Sequence, residues 1–191
     1  MRTIRTKVYQ FSELDKSAKN KAIEWYKTIL NEDSDLLHFF PEYCKEIAKE
    51  SGFEEITVGY SLSYCQGDGL SFKCEKLDLE RMIKEALPSA KKSLINVILG
   101  NTVWEIKGNN GRYEYDKKSD VDLWLDASKD YPNIEKKIDV IREYIEDKYM
   151  EVCKELEKAG YAEIDYQYTD ESIIETIEAN EYEFKADGTR F

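Results

Sequence analysis

Tyr60-Ser61-Leu62-Ser63-Tyr64-Cys65-Gln66-Gly67-Asp68-Gly69-Leu70-Ser71-Phe72 alternates larger and small polar side chains up to a Gly-Asp-Gly turn and resumes beyond it. A period of two on both sides of a glycine-bearing turn predicts a β-hairpin. Upstream, Ile56, Val58, Tyr60, Leu62 and Tyr64 share one face, and Leu70, Phe72 and Cys74 continue it after the turn. Thr57, Gly59, Ser61, Ser63 and Cys65 share the other, a flat, hydroxyl-rich surface open to close approach by another molecule. The apolar face needs a covering layer, and helical periodicities on both sides of the hairpin can supply it. The chain is therefore expected to be α+β, a mainly antiparallel sheet with helices packed on one face.

Before the hairpin, Thr3 to Phe11 suits a strand near a sheet edge. Ser12 offers an N-cap hydroxyl, with Asp15 completing an imperfect capping box. Ala18, Ala22, Trp25, Tyr26, Ile29 and Leu30 then recur on one side of a helix. A second helix runs from about Pro41 to Glu50 and is closed by Gly52. After the hairpin come a short helix over Leu79 to Leu87, interrupted by Pro88, and another over Ser89 to Leu99. Thr102–Lys107, the Gly108–Gly111 turn and Arg112–Tyr115 read as a second hairpin, and Val121, Leu123 and Leu125 as an added strand.

Pro132 suits the first turn of a long helix carrying Ile134, Ile138, Ile141, Ile145, Val152, Leu156 and Ala159, ending at Gly160. Packing onto the sheet explains this stripe better than a coiled-coil seam, which needs ordered edge charges over several heptads. Tyr161 to Tyr168 reads as a strand, followed by a helix with Ile173, Ile174 and Ile177, a strand over Glu181 to Phe184, and a turn at Asp187-Gly188. One domain, residues 1–191, is expected at this length.

The 40 acidic and 28 basic residues give a formal charge of −12, which opposes direct attraction to a phosphate backbone. A basic protein surface is the natural partner, not nucleic acid itself. No apolar run is long enough to cross a bilayer, which argues for a soluble, cytoplasmic protein. Cys44, Cys65, Cys74 and Cys153 lack CxxC spacing and His38 is the single histidine, so no zinc ligand set and no cofactor are expected. Reduced thiols fit the same compartment.

Two regions are candidates for function. At the hairpin tip, Gln66 and Asp68 supply directed polar atoms between glycines that can expose backbone N–H groups; the alternative is a turn whose positive φ angles require glycine. An acid in place of a lysine excludes a phosphate-cradling loop. Between Tyr161 and Phe191, nine acids face two bases, so more than half of the chain's net charge lies there. Asp170, Glu171, Glu175, Glu178, Glu181 and Glu183 are the candidate partner-binding acids; the alternative is a solvated face. No nucleophile-elbow or acid–base motif stands out, and the chain is expected not to be an enzyme.

Three stretches carry a resemblance. They are Phe11-Ser12-Glu13-Leu14 with Ala18-Lys19, Ala22 and Trp25-Tyr26; the Ser-x-Ser-x-Cys-Gln-Gly-Asp-Gly run from Ser61 to Gly69; and Ile177-Glu178-Ala179-Asn180-Glu181-Tyr182-Glu183-Phe184 with Asp187-Gly188. Together they resemble a family of uncharacterised small proteins encoded by phages and prophages. The resemblance implies a setting, the bacterial host cell, in which small acidic proteins block host defences, including CRISPR nucleases with positively charged channels. On that basis the chain is expected to be a non-enzymatic inhibitor that docks its acidic surface in the basic groove of a nucleic-acid-binding host protein. Two other readings stand beside it: an antitoxin-like stoichiometric regulator, and a small ligand-binding or enzymatic module using Gly67-Asp68-Gly69.

Overall fold

The computed structural model describes residues 6–32, 36–107, 120–125 and 134–191. In chain order the elements are β1 (Tyr9–Gln10), a 3-10 turn (Phe11–Glu13), α1 (Lys16–Glu32), α2 (Phe40–Glu50), β2 (Phe53–Ser61), β3 (Gly69–Leu77), α3 (Leu79–Ala86), α4 (Lys92–Asn101), β4 (Thr102–Lys107), β5 (Asp120–Leu125), α5 (Glu135–Gln167), α6 (Asp170–Ala179) and β6 (Glu183–Phe184). The fold is α+β, with two antiparallel sheets. Contacts divide the chain into two compact units: Phe39–Tyr161, and the segments on either side of it. No helix among the described residues is long and apolar enough to cross a membrane.

In the Phe39–Tyr161 unit the sheet order is β2-β3-β4-β5. Ile56 pairs with Cys74, Cys74 with Ile106 and Ile106 with Val121, so one buried apolar row crosses all four strands. This is the face expected from the hairpin's period of two. Ile138, Ile141, Ile145, Val152 and Leu156 of α5 are buried, and Tyr149 fills the gap in that stripe. Its ring lies 4.4 Å from Phe72 and 6.1 Å from Phe53. The Tyr149 hydroxyl also accepts from the Phe72 N–H and donates to the Phe72 carbonyl, both at 2.9 Å. Among the described residues the β3–β4 register pairs Cys74 with Ile106 alone, and the Tyr149 hydroxyl takes up the main-chain groups of Phe72 near that pair.

α3 is tied to α5 through Glu85. Its carboxylate accepts from Lys148, Tyr144 and Arg81 at 2.5, 2.6 and 2.8 Å, and these bonds hold its pKa down to about 2. Asp78 caps α3 by accepting from the Arg81 N–H. Gly52, at φ 93, ends α2 as its sequence predicts.

The other unit packs α1 against α6 and the short β1–β6 ladder. Its core contains Phe11, Leu14, Ala22, Ile173, Ile177 and Phe184.

Several local expectations need correction. Of the strand expected over Thr3 to Phe11, Thr6–Val8 are irregular, Tyr9–Gln10 are strand and Phe11 begins a 3-10 turn. α1 is capped by Asp15, which accepts from the Ala18 N–H at 2.8 Å, and not by Ser12. α4 starts at Lys92, later than expected. β4 pairs with Asp120–Leu125; the expected Gly108–Gly111 turn, the strand over Arg112–Tyr115 and Pro132 lie outside the described residues.

The largest difference is in α5, which runs through Gly160 to Gln167 and turns the expected Tyr161–Tyr168 strand into helix. Gly160 serves packing here, not termination. A Cβ on it would lie 2.4 Å from Leu62 Cδ1 and 2.9 Å from Phe40 Cζ.

Candidate functional site

The hairpin tip is organised around Asp68, which is only 7% exposed. Its Oδ1 accepts from the Ser61 hydroxyl at 3.1 Å, the Ser63 hydroxyl at 3.1 Å and the Cys65 thiol at 3.0 Å. Its Oδ2 accepts from the Ser63 N–H at 2.7 Å, the Cys65 N–H at 3.0 Å and the Tyr161 hydroxyl at 2.7 Å. Ser61 ends β2, Ser63 and Cys65 lie in the irregular tip beyond it, and all three aim donors at Asp68. Ser63 and Cys65 of the face read from sequence as flat and open stay exposed, yet their donors and that of Ser61 are committed to a buried acid.

Burial alone would raise the Asp68 pKa, but the bonds from Cys65, Tyr161 and Ser63 outweigh it and hold the carboxyl well below the usual range. Burial, and then the bond to Asp68, push the Tyr161 phenol up to about 12. An acid that stays ionised with both oxygens committed is poorly placed for proton transfer near neutral pH. Its evident work is structural: it fixes the loop and joins it to α5.

That scaffold presents Tyr64, Cys65 and Gln66 at the surface. Tyr64 is 63% exposed and sits at φ 58, a left-handed conformation costing on the order of 1 kcal/mol for a residue with a Cβ. Ser63 N–H and Cys65 N–H, bonded to Asp68 on either side, hold it there. Its ring lies 4.8 Å from that of Tyr161. Neither Gly67 nor Gly69 takes positive φ, so the turn does not use its glycines as the sequence suggested.

In the other unit all six candidate acids, Asp170, Glu171, Glu175, Glu178, Glu181 and Glu183, are exposed. Helical spacing sets Glu171, Glu175 and Glu178 on one stripe of α6, opposite the buried Ile173 and Ile177. Asp170 pairs with Lys27 at 3.2 Å; among the described residues the other five form no ion pair. Asp170 and Glu171 stand in the first turn of α6, where the helix dipole favours them. Glu178 stands in its last turn, where the dipole disfavours acids and no base lies, while Glu175 stands in mid-helix. Glu181 follows at φ 51.

All four cysteines are free. Burial pushes the Cys44 thiol up to about 12 and that of Cys74 up to about 11, while Cys65 is exposed. Among the described residues no group of three or more His, Cys, Asp and Glu side chains is arranged to hold a metal ion. Sequence reasoning missed Tyr161 and the Ser61, Ser63 and Cys65 donors as parts of one site; an acid three, five and seven residues beyond small donors was the available signal. Comparison of the chain with family models, curated proteins and solved structures finds no match.

Proposed function

We propose that the protein is a non-enzymatic, phage-type inhibitor that works in the bacterial cytoplasm by placing an acidic surface in the basic groove of a host defence protein, such as a CRISPR nuclease. The observation that carries this reading is the exposed set Glu175, Glu178 and Glu181, which form no ion pair among the described residues, with Glu178 in the last turn of α6 and Glu181 at φ 51, where helix and backbone preferences give the fold no benefit from acids. Residues that a stable helix end would not choose are suited to a second task, here electrostatic recognition. A net charge of −12 adds long-range attraction to a cationic partner and repels nucleic acid that competes for the same groove.

The test is charge reversal. Glu175→Lys, Glu178→Lys and Glu181→Lys together should leave the fold intact and weaken capture of a purified nucleic-acid-binding nuclease, in a complex that high salt also weakens and nucleic acid competes away. Unchanged capture by the triple variant would sink the reading. The tip offers less to a small ligand, because both Asp68 oxygens already hold donors from the protein itself.

A further inference from the structure

The face of the β2-β3-β4-β5 sheet turned away from the buried Ile56–Cys74–Ile106–Val121 row has a pattern of its own. β4 and β5 set Glu105 directly opposite Asp122 and, two residues along, Val103 directly opposite Trp124. Cys74 pairs with Ile106, so the same register brings Glu75 of β3 beside Glu105. Glu55 of β2 falls opposite Glu75, between the Glu54–Lys76 and Ile56–Cys74 pairs. Glu55, Glu75, Glu105 and Asp122, one from each strand, are all exposed. Val103 and Trp124 beside them are 40% and 44% exposed.

Little in the chain answers these charges. Among the described residues Glu105 pairs with Lys107 at 2.9 Å, while Glu55, Glu75 and Asp122 form no ion pair. Lys45 and Lys49 of α2 line one cleft with Glu54, Glu55 and Glu75, and Lys76 takes up Glu54. Lys73 and Lys107 follow on the side away from Trp124. Asp122 is thus the least compensated of the four, and it stands next to the apolar rung. Like charges opposed on neighbouring strands weaken a sheet, so the fold gains nothing from this row. Exposed apolar side chains rimmed by charge have the make-up of a contact surface.

We propose that this face is a docking surface for a helix of a partner protein that carries lysine or arginine once per turn, beside an apolar stripe that covers Val103 and Trp124. Charge complementarity selects the cations. Neighbouring strands lie about 4.8 Å apart, so Glu75, Glu105 and Asp122 span about 10 Å across the sheet. A helix advances about 10.5 Å from i to i+7, with i, i+4 and i+7 on one side. Laid across the strands, it offers one cation to each acid. Three alternate side chains of an extended peptide span about 13 Å and fall out of step. Tryptophan supplies the large central contact on which such interfaces depend. The acids of α6 have no part in this surface, which belongs to the other unit.

The test is calorimetric titration of a synthetic helical peptide with lysines at i, i+4 and i+7 and leucines along the adjoining stripe. Its control is an isomer of the same composition with the lysines spread around the helix. The wild type should bind the patterned peptide about tenfold more tightly than the isomer. Trp124→Ser and, separately, Glu105→Gln combined with Asp122→Asn should each weaken the patterned peptide about tenfold. The double charge variant should melt no lower than wild type, which separates lost binding from lost folding. No binding of the patterned peptide, equal binding of the isomer, or binding that either change leaves intact overturns the docking site.

Should Trp124→Ser fail to fold, NMR on the wild type decides: the patterned peptide must shift the Trp124 indole N–H signal, and a stationary signal overturns the site. The triple reversal of Glu175, Glu178 and Glu181 keeps the whole sheet face. It should bind the patterned peptide as the wild type does, whatever its effect on nuclease capture. Loss of peptide binding in that variant would assign the peptide to α6 and overturn the sheet site.

Discussion

Asp68 and Asp187 both stand beside glycine in a turn, yet Asp68 is 7% exposed with six donor groups on its carboxylate, while Asp187 lies open to solvent. Asp187 accepts from Lys21 Nζ at 2.8 Å, the Thr189 N–H at 3.0 Å and the Thr189 hydroxyl at 2.9 Å. The glycines differ in the opposite sense. Gly188 has φ 80, and a Cβ on it would lie 2.1 Å from the Ala18 carbonyl oxygen, whereas Gly67 takes no positive φ. At the hairpin tip the acid organises the turn and Gly67 is incidental. Near Phe191 the glycine is indispensable and the acid secondary.

Substitution tests this contrast directly. Asp68→Ala strands donors from Ser61, Ser63, Cys65 and Tyr161 at once and should cost about 4 kcal/mol in denaturant unfolding. A loss below about 1 kcal/mol would show that water replaces the carboxylate freely. Gly188→Ala meets a backbone oxygen that cannot rotate away and should cost about 3 kcal/mol.

Acid titration gives the next effect. The folded pKa of Asp68 is depressed, so its contribution is present above the unfolded value of about 3.9 and is lost as pH falls below it. Thermal midpoints of the wild type should therefore drop more steeply below about pH 4 than those of Asp68→Asn. Glu85 acts in the same sense over the range from about 4.3 down to about 2 and remains in both proteins, so the difference in slope reports Asp68. Gly67→Ala should cost under about 1 kcal/mol. The smallest effect belongs to Asp187→Asn: its partners are solvated, so the midpoint should barely move, and equal loss at Asp187 and Asp68 would erase the distinction between the two turns.

Much of the architecture can be read from periodicity alone. The hairpin's buried row of Ile56, Leu70, Phe72 and Cys74, and α1, α2, α3 and α6, follow from spacing, because burial of a single face dictates that spacing; Tyr64, expected on the apolar face, is 63% exposed. The end of α5 does not, since glycine ends a helix when it adopts a left-handed conformation but continues one when a neighbour needs the space of its missing side chain. Gly160 is the second case, and only the positions of Leu62 and Phe40 reveal it. Past it, Tyr161, Ile164 and Tyr168 fit helical spacing as well as strand alternation does.

The tip was legible as a turn, but its chemistry was not. A run of Ser61, Ser63 and Cys65 has the same spacing whether its donors meet solvent or an acid folded back beneath them. Tyr161 enters that arrangement from 93 residues away, a separation that no local pattern encodes. The acidic segment was legible as composition. Its division into Asp170, paired and favoured at a helix start, and Glu175 and Glu178, which form no ion pair among the described residues, required the position of α6.

The Tyr149 hydroxyl at Phe72 also bears on how the protein behaves in a crowded cell. Where β4 parts from β3, main-chain groups of a central strand would otherwise be available to template a foreign strand and seed aggregation. Because the phenol both donates and accepts there, one side chain acts as a plug against such recruitment while leaving the β2–β3 and β4–β5 pairs free to diverge.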